Sequence, residues 1–322
     1  MSKLLAKPVM LITGFLGAGK TTFLNALIQY QHNQRLAIIE NEFGEEPIDG
    51  ELIIGADNDI YELSNGCLCC SLNQDFYVLL EELWGRRNEF DELVIETTGI
   101  ADPASVASPF LTSQSISCYY QLKRVVCLID ARHIEEQLKN TVEARKQISF
   151  SDILLITKTD LIEDNYLPYL ENLLDEINPF AQMLSGNKTQ YPFAELFAIE
   201  RHAIVKKRPK FSLAPVPVKH HQHDDLVSLS FTFTEPFSIS LLQHQLTAFL
   251  IFQAKDVYRV KGIIYVEAHS RKIIVQSVNA NLVVEYGEEW QDDELKQSRI
   301  VFIGKQLKPA GFERMLKLCL IA

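Results

Sequence analysis

An α/β architecture on a mainly parallel sheet, followed by a smaller α+β domain, is the fold class that this chain of 322 residues predicts. Three observations carry it. Short apolar runs alternate with helical patterns through the first part of the chain, as in sheets buried on both faces. The first run ends in a glycine-rich loop that leads into a helix. Beyond about residue 200 this pattern gives way to a polar, proline-punctuated stretch and then to alternating strands.

Taken in order, residues 9–13 read as a buried strand and residues 20–33 as a helix. Strand-like runs recur at 36–39, 93–95, 125–129 and 153–156, separated by helical patterns such as 76–83 and 166–177. Residues 206–225 contain Lys206-Lys207-Arg208-Pro209-Lys210, Pro215, Pro217 and His220-His221-Gln222-His223-Asp224-Asp225, and they read as a linker. It joins a domain over 1–205 to one over 226–322. The second domain alternates at 229–233, has a helix at 239–252 and strands at 262–267, 272–278 and 299–304, and ends in a helix after Pro309. Runs of strands with flanking helices predict a mostly antiparallel sheet there.

Apolar residues make up 47% and charged residues 23%, the mixture of a globular protein. A net charge of -11 argues against a nucleic-acid partner, since phosphate contacts need an excess of Lys and Arg. The apolar stretch 9–16 is too short to span a bilayer, so no membrane partner is expected. Of six cysteines, three fall within four residues, a poor disulfide framework. With no signal peptide recognised, a reducing, cytoplasmic location is expected. Cys319-Leu320-Ile321-Ala322 matches a prenylation pattern, but Phe312, Met315, Leu316 and Cys319 at helical spacing read better as the apolar face of a helix.

The segment Gly14-Phe15-Leu16-Gly17-Ala18-Gly19-Lys20-Thr21-Thr22 fits G-x-x-x-x-G-K-[ST] between a strand and a helix. Its glycines let backbone N–H groups turn around a β-phosphate. Lys20 offers charge to the β- and γ-phosphates, and Thr21 offers a hydroxyl to magnesium. Glu96 at the tip of the strand 93–95 can hold magnesium directly or through water, and the Gly99 amide can reach the γ-phosphate. Lys20, Thr21 and Glu96 are the catalytic candidates. In Thr157-Lys158-Thr159-Asp160, the Asp160 carboxylate suits the paired N–H donors of a guanine edge, and the Lys158 stem can cover the ring. Thr157 stands where such a motif usually opens with Asn. Cys67, Cys69 and Cys70 form C-x-C-C, a soft donor set for zinc or a similar ion. His220, His221 and His223 are further metal candidates, weighed evenly against ordinary surface histidines.

With those elements in place, the chain resembles the CobW-type GTPases, relatives of the nickel-insertion GTPases of urease and hydrogenase. The matching residues are 14–22, Asn41-Glu42-Phe43-Gly44-Glu45, Gly66-Cys67-Leu68-Cys69-Cys70, Glu96-Thr97-Thr98-Gly99 and 157–160. The resemblance implies a P-loop NTPase domain and brings the acidic residues Glu40, Glu42 and Glu45 beside the cysteines as shared metal ligands. It further implies GTP or GDP, Mg2+ and Zn2+, with Co2+ or Ni2+ as alternatives, and a client metalloprotein as partner, with a homo-oligomer admitted. The expected function is hydrolysis of GTP to GDP and phosphate, coupled to delivery of a transition metal, zinc foremost. Two other classes compete with it. One is a metal-storage protein regulated by nucleotide; the other is a small-molecule P-loop kinase, against which Asp160 and the cysteines argue.

Overall fold

The computed structural model describes residues 6–40, 60–62, 75–199, 226–253, 256–267, 269–291 and 294–321. They fall into two compact units. The first opens on β1 (Lys7–Gly14), in which Val9, Met10, Leu11 and Ile12 are all buried. An unbroken apolar run of this kind suits a strand paired on both edges and packed on both faces. α1 (Lys20–Tyr30) stops short of residue 33. The Gln31 N–H still reaches Leu27 O at 2.9 Å, and a turn then closes from the Gln34 N–H onto Gln31 O at 2.8 Å.

The chain continues through β2 (Leu36–Glu40), β3 (Ile60–Glu62), α2 (Asp75–Gly85), β4 (Glu92–Glu96), α3 (Pro103–Thr112), α4 (Gln114–Tyr119) and β5 (Tyr120–Asp130). Then come α5 (Ile134–Asn140), α6 (Val142–Phe150), β6 (Ile153–Thr157), α7 (Tyr166–Ile177), β7 (Gln182–Ser185) and α8 (Phe193–Ala198). The sheet order is β3-β2-β4-β1-β5-β6-β7, and every pairing is parallel. β5 begins five residues before the apolar run that predicts it, because Tyr120 to Lys123 alternate buried and exposed instead of being buried throughout. On one face of the sheet Met10, Ile12, Val94, Val126 and Leu155 pack with Phe23, Leu24 and Leu27 of α1. Each such side chain contributes about 1.5–3 kcal/mol through burial. β1 is central and its neighbours are β4 and β5, so the order reverses there; ligands of such sheets bind beyond the carboxyl ends of the strands at that point.

The second unit holds β8 (Leu226–Phe233), α9 (Ile239–Gln253), β9 (Val257–Ile264), β10 (Arg271–Val278), β11 (Asn281–Glu289), β12 (Ser298–Lys305) and α10 (Pro309–Lys317). Its sheet, β11-β10-β9-β12-β8, is antiparallel at every pairing. Leu242, Leu246 and Leu250, four apart on α9, pack with Phe231, Phe302, Phe312 and Leu316. Cys319 is buried in the same core, with its Sγ 3.3 Å from Met315 O, so the residue that fits the prenylation pattern is a packing residue.

Two expectations are corrected. β9 lies at Val257–Ile264 rather than 262–267, because Arg259 breaks the apolar pattern while being buried; its guanidinium donates to Ser277 O and, at 2.8 Å, to Gln276 Oε1. β11 is an additional strand. Its hairpin turns through Asn279, at φ 54°, and Ala280, where an Asn-Gly pair would have announced it. No helix among the described residues is long and apolar enough to cross a membrane.

Candidate functional site

β1 brings Gly14 to the carboxyl edge of the sheet, and the loop after it turns back into α1. Gly17 and Gly19 adopt φ 77° and 92°, a region that suits glycine, with nothing described within 4 Å of where a Cβ would stand. The open side of the loop and the N-terminus of α1 together form an anion cradle. Lys20 is the first residue of α1; it is nearly buried, and its Nζ donates to Gly14 O at 3.1 Å. Thr21 Oγ1 donates to Glu96 Oε1 at 3.4 Å. Beside that pair, Thr97 Oγ1 donates to Thr13 Oγ1 at 3.0 Å and fixes the tip of β4 to β1. Thr22 is exposed on the outer side of the helix start, and Ala18 is buried.

Glu96 has a second acidic neighbour. In the parallel register of β2 and β4, Glu40 stands opposite Glu96. The structure therefore brings Thr21, Glu96 and Glu40 to one corner of the sheet edge. Gly99 follows, and its backbone presses on the loop: a Cβ there would lie 2.7 Å from Leu16 N.

On the other flank, β6 ends in Thr157, whose hydroxyl is 2.9 Å from Ala18 O and 3.1 Å from Ile129 O. Lys158 takes a left-handed conformation at φ 58°, and its Nζ donates to Gly17 O and to Asp130 Oδ2, each at 2.6 Å. Asp160 lies exposed on the short 3-10 turn Thr159–Leu161. That turn is tied to the loop after β7 by Thr159 Oγ1 donating to Gly186 O at 3.1 Å. Burial, aided by the nearby Asp160 charge, pushes the Tyr191 phenol up.

Asp130, at the tip of β5, is a residue that the sequence reading passed over. It is buried and accepts hydrogen bonds from Lys158, from the Arg132 N–H at 3.0 Å and, in the His133 contact, from Nδ1 at 3.0 Å. Burial alone would raise its carboxyl, yet the hydrogen bonds from Lys158, His133 and the Arg132 amide hold it below the usual carboxylate range. The available signal was its place: a carboxylate closing an apolar strand beside the switch point. Burial pushes the Cys127 thiol up to about 12, partly offset by Lys20. Glu42, Glu45, Cys67, Cys69, Cys70, His220, His221 and His223 lie outside the described residues.

Fold and loop together define a nucleotide-binding protein of the P-loop class, carrying a second α+β unit. The family model for the CobW/HypB/UreG nucleotide-binding domain matches residues 8–185, and that for the cobalamin synthesis protein cobW C-terminal domain matches residues 226–320. The chain belongs to the CobW/HypB/UreG family. It is 32% identical over 307 residues to the zinc chaperone YjiA of Escherichia coli (strain K12), an alignment that covers 93% of this chain and 94% of the relative. It is 26% identical over 358 residues to the zinc chaperone CobW of Pseudomonas aeruginosa, covering 99% and 93%. The crystal structure of the Zn(II)-bound YjiA GTPase from E. coli superposes with a TM-score of 0.76 at 28% identity, over 99% of this chain and 100% of that one.

Proposed function

We propose that this protein hydrolyses GTP to GDP and phosphate and couples the reaction to delivery of zinc to a client metalloprotein. Relatives named zinc chaperones, one of them a GTPase with Zn(II) bound, support that reading. In it, Gly14, Gly17, Ala18, Gly19, Lys20, Thr21, Thr22 and Gly99 hold the phosphates, while Lys158 and Asp160 hold the guanine base. Residues 1–205 form the GTPase domain, 206–225 the tether and 226–322 the domain that docks the client.

The hard oxygen donors of Thr21 and Glu96, already within 3.4 Å of each other beside the loop, fit magnesium. When bound, that ion would be held by these two side chains and would neutralise phosphate charge. The protein's own part is electrostatic. Lys20 supplies a fixed positive charge, and the loop amides with the N-terminus of α1 stabilise negative charge on the phosphoryl group as it passes to water. Such groups cost no reorganisation during the reaction because the fold has already oriented them.

The observation that carries the coupling is the register of Glu40 with Glu96. Zinc is cargo here, held by Cys67, Cys69 and Cys70 with Glu40, Glu42 and Glu45. A segment that begins at Glu40 also begins beside the magnesium ligand, so movement at one is felt at the other. Phosphate release from GTP, measured for wild type and Lys20→Ala with and without one equivalent of zinc, tests the proposal. Lys20→Ala should lose about 100-fold or more in turnover while keeping its far-UV circular dichroism. Unchanged turnover in that variant would reject the assignment of the loop.

A further inference from the structure

α6 grips the loop after β4 through residues that the function above leaves unused. Lys146 and Gln147 are consecutive on that helix. Gln147 is fully buried, and its Nε2 donates to Gly99 O at 3.1 Å and to Ala101 O at 3.2 Å. Lys146 Nζ reaches Asp102 Oδ2 at 2.8 Å, while Asp102 Oδ1 caps α3 by accepting from the Ala104 N–H at 3.0 Å. Two neighbouring side chains thus hold Gly99, Ala101 and Asp102, half of the six-residue loop 97–102.

Gln147 Oε1 and Thr98 Oγ1 are buried without a hydrogen-bond partner among the described residues. Turning the Gln147 amide over would set Oε1 against two carbonyl oxygens, so its two acceptors fix the orientation with Nε2 inward. A buried polar group left partly unmet is a poor device for stability, because an apolar side chain would pack there without that cost. Its hydrogen bonds serve an arrangement of the backbone instead.

That arrangement matters at Gly99, where a Cβ would stand 2.6 Å from Leu16 Cδ2 and 2.7 Å from Leu16 N. The held loop therefore rests directly against the glycine-rich loop. We propose that Gln147 is a positioning residue for the third phosphate. By holding the carbonyls of Gly99 and Ala101 it fixes the backbone on the C-terminal side of the Gly99 N–H that reads the γ-phosphate, and the protein distinguishes GTP from GDP through a side chain that touches neither. This inference rests on the phosphate-binding role of the loop and Gly99 stated above.

Calorimetric affinities for GTPγS and GDP with magnesium, on the full chain, test it in wild type, Gln147→Met and Lys146→Met. Gln147→Met keeps the length of the side chain and loses both donors. It should bind GDP within about twofold of wild type and GTPγS about tenfold more weakly, with a drop of about threefold in Lys146→Met. A merely structural role would weaken both nucleotides alike. Equal losses, or an unchanged ratio, in Gln147→Met overturn the proposal. Should that variant fail to fold, Lys146→Met decides: a lowered ratio supports the proposal and an unchanged one overturns it. Wild type that binds neither nucleotide would overturn the phosphate reading and this proposal together, whereas a normal wild-type preference with an unchanged variant overturns the role of Gln147 alone.

Discussion

Thr157 takes a place where guanine-reading motifs usually have Asn, and its short hydroxyl has one proton for two carbonyls, Ala18 O and Ile129 O. It still ties β6 to the glycine-rich loop. Asp160→Asn turns an acceptor pair into a mixed amide and should cost GTP affinity about 1.5–3 kcal/mol while improving xanthosine triphosphate. Titrating both nucleotides checks this, and an unchanged preference for GTP would mean that other residues read the base. Asp130→Asn acts one step back, since it removes the charge that holds Lys158. GTP affinity should fall about tenfold, an energy within the range of one charge-assisted hydrogen bond; unaltered affinity would discount Asp130. The pH dependence of stability follows from the sign of its shift. A carboxyl depressed in the folded state stabilises above its unfolded pKa, and that contribution fades as pH falls below about 4. Thermal melts of Asp130→Asn should lack this portion of the acid slope. Lys20 and Thr21 were legible because their spacing is fixed by the loop they help to build, and Glu96 and Lys158 because each stands at the end of an apolar strand. Asp130 was not, because its partner Lys158 is 28 residues away and a lone carboxylate closing a strand has many ordinary explanations.

At the scale of elements, β1 and β5 approach so closely that Gly14 has no room for a side chain. A Cβ would meet Leu128 O at 2.4 Å and Leu128 N at 3.1 Å, both backbone atoms that cannot rotate away. Gly14→Ala should therefore destabilise the first unit by about 1–3 kcal/mol, read as a lower urea midpoint. A variant as stable as wild type would show that the two strands can part without cost. Apolar runs located β1, β2, β4, β6 and the second half of β5 well because strands buried on both faces need nothing but apolar residues. The second unit was harder. Arg259 hides β9 within a polar-looking stretch, and β11, an edge strand with Tyr286 exposed, carries only half of an apolar face. Charges and edges are where the solvent's preference and the sheet's pairing cease to agree.

Across the whole molecule the change of pattern near residue 200 separated a parallel from an antiparallel sheet, a distinction that follows from how the strands are joined. The largest functional expectation also belongs to this scale. If the segment from Glu40 to the cysteines responds to the γ-phosphate, zinc should bind with different affinity in the GTP and GDP states, and zinc should alter nucleotide affinity by the same factor. A difference of about 1–3 kcal/mol is expected, measured by zinc titration with a nonhydrolysable GTP analogue and with GDP, in wild type and a triple Cys→Ser variant. Equal zinc affinities would reject the coupling while leaving the metal site intact. The central position of β1 has a consequence during synthesis. Val9 to Ile12 leave the ribosome well before their partners, which run from Leu93 to Glu96 and from Leu122 to Val126. At about 5–20 residues per second, this buried central strand waits on the order of 6–25 s for the second of them. For that interval the future glycine-rich loop hangs from an unpaired apolar segment, the kind of exposed surface that makes an incomplete chain prone to aggregate.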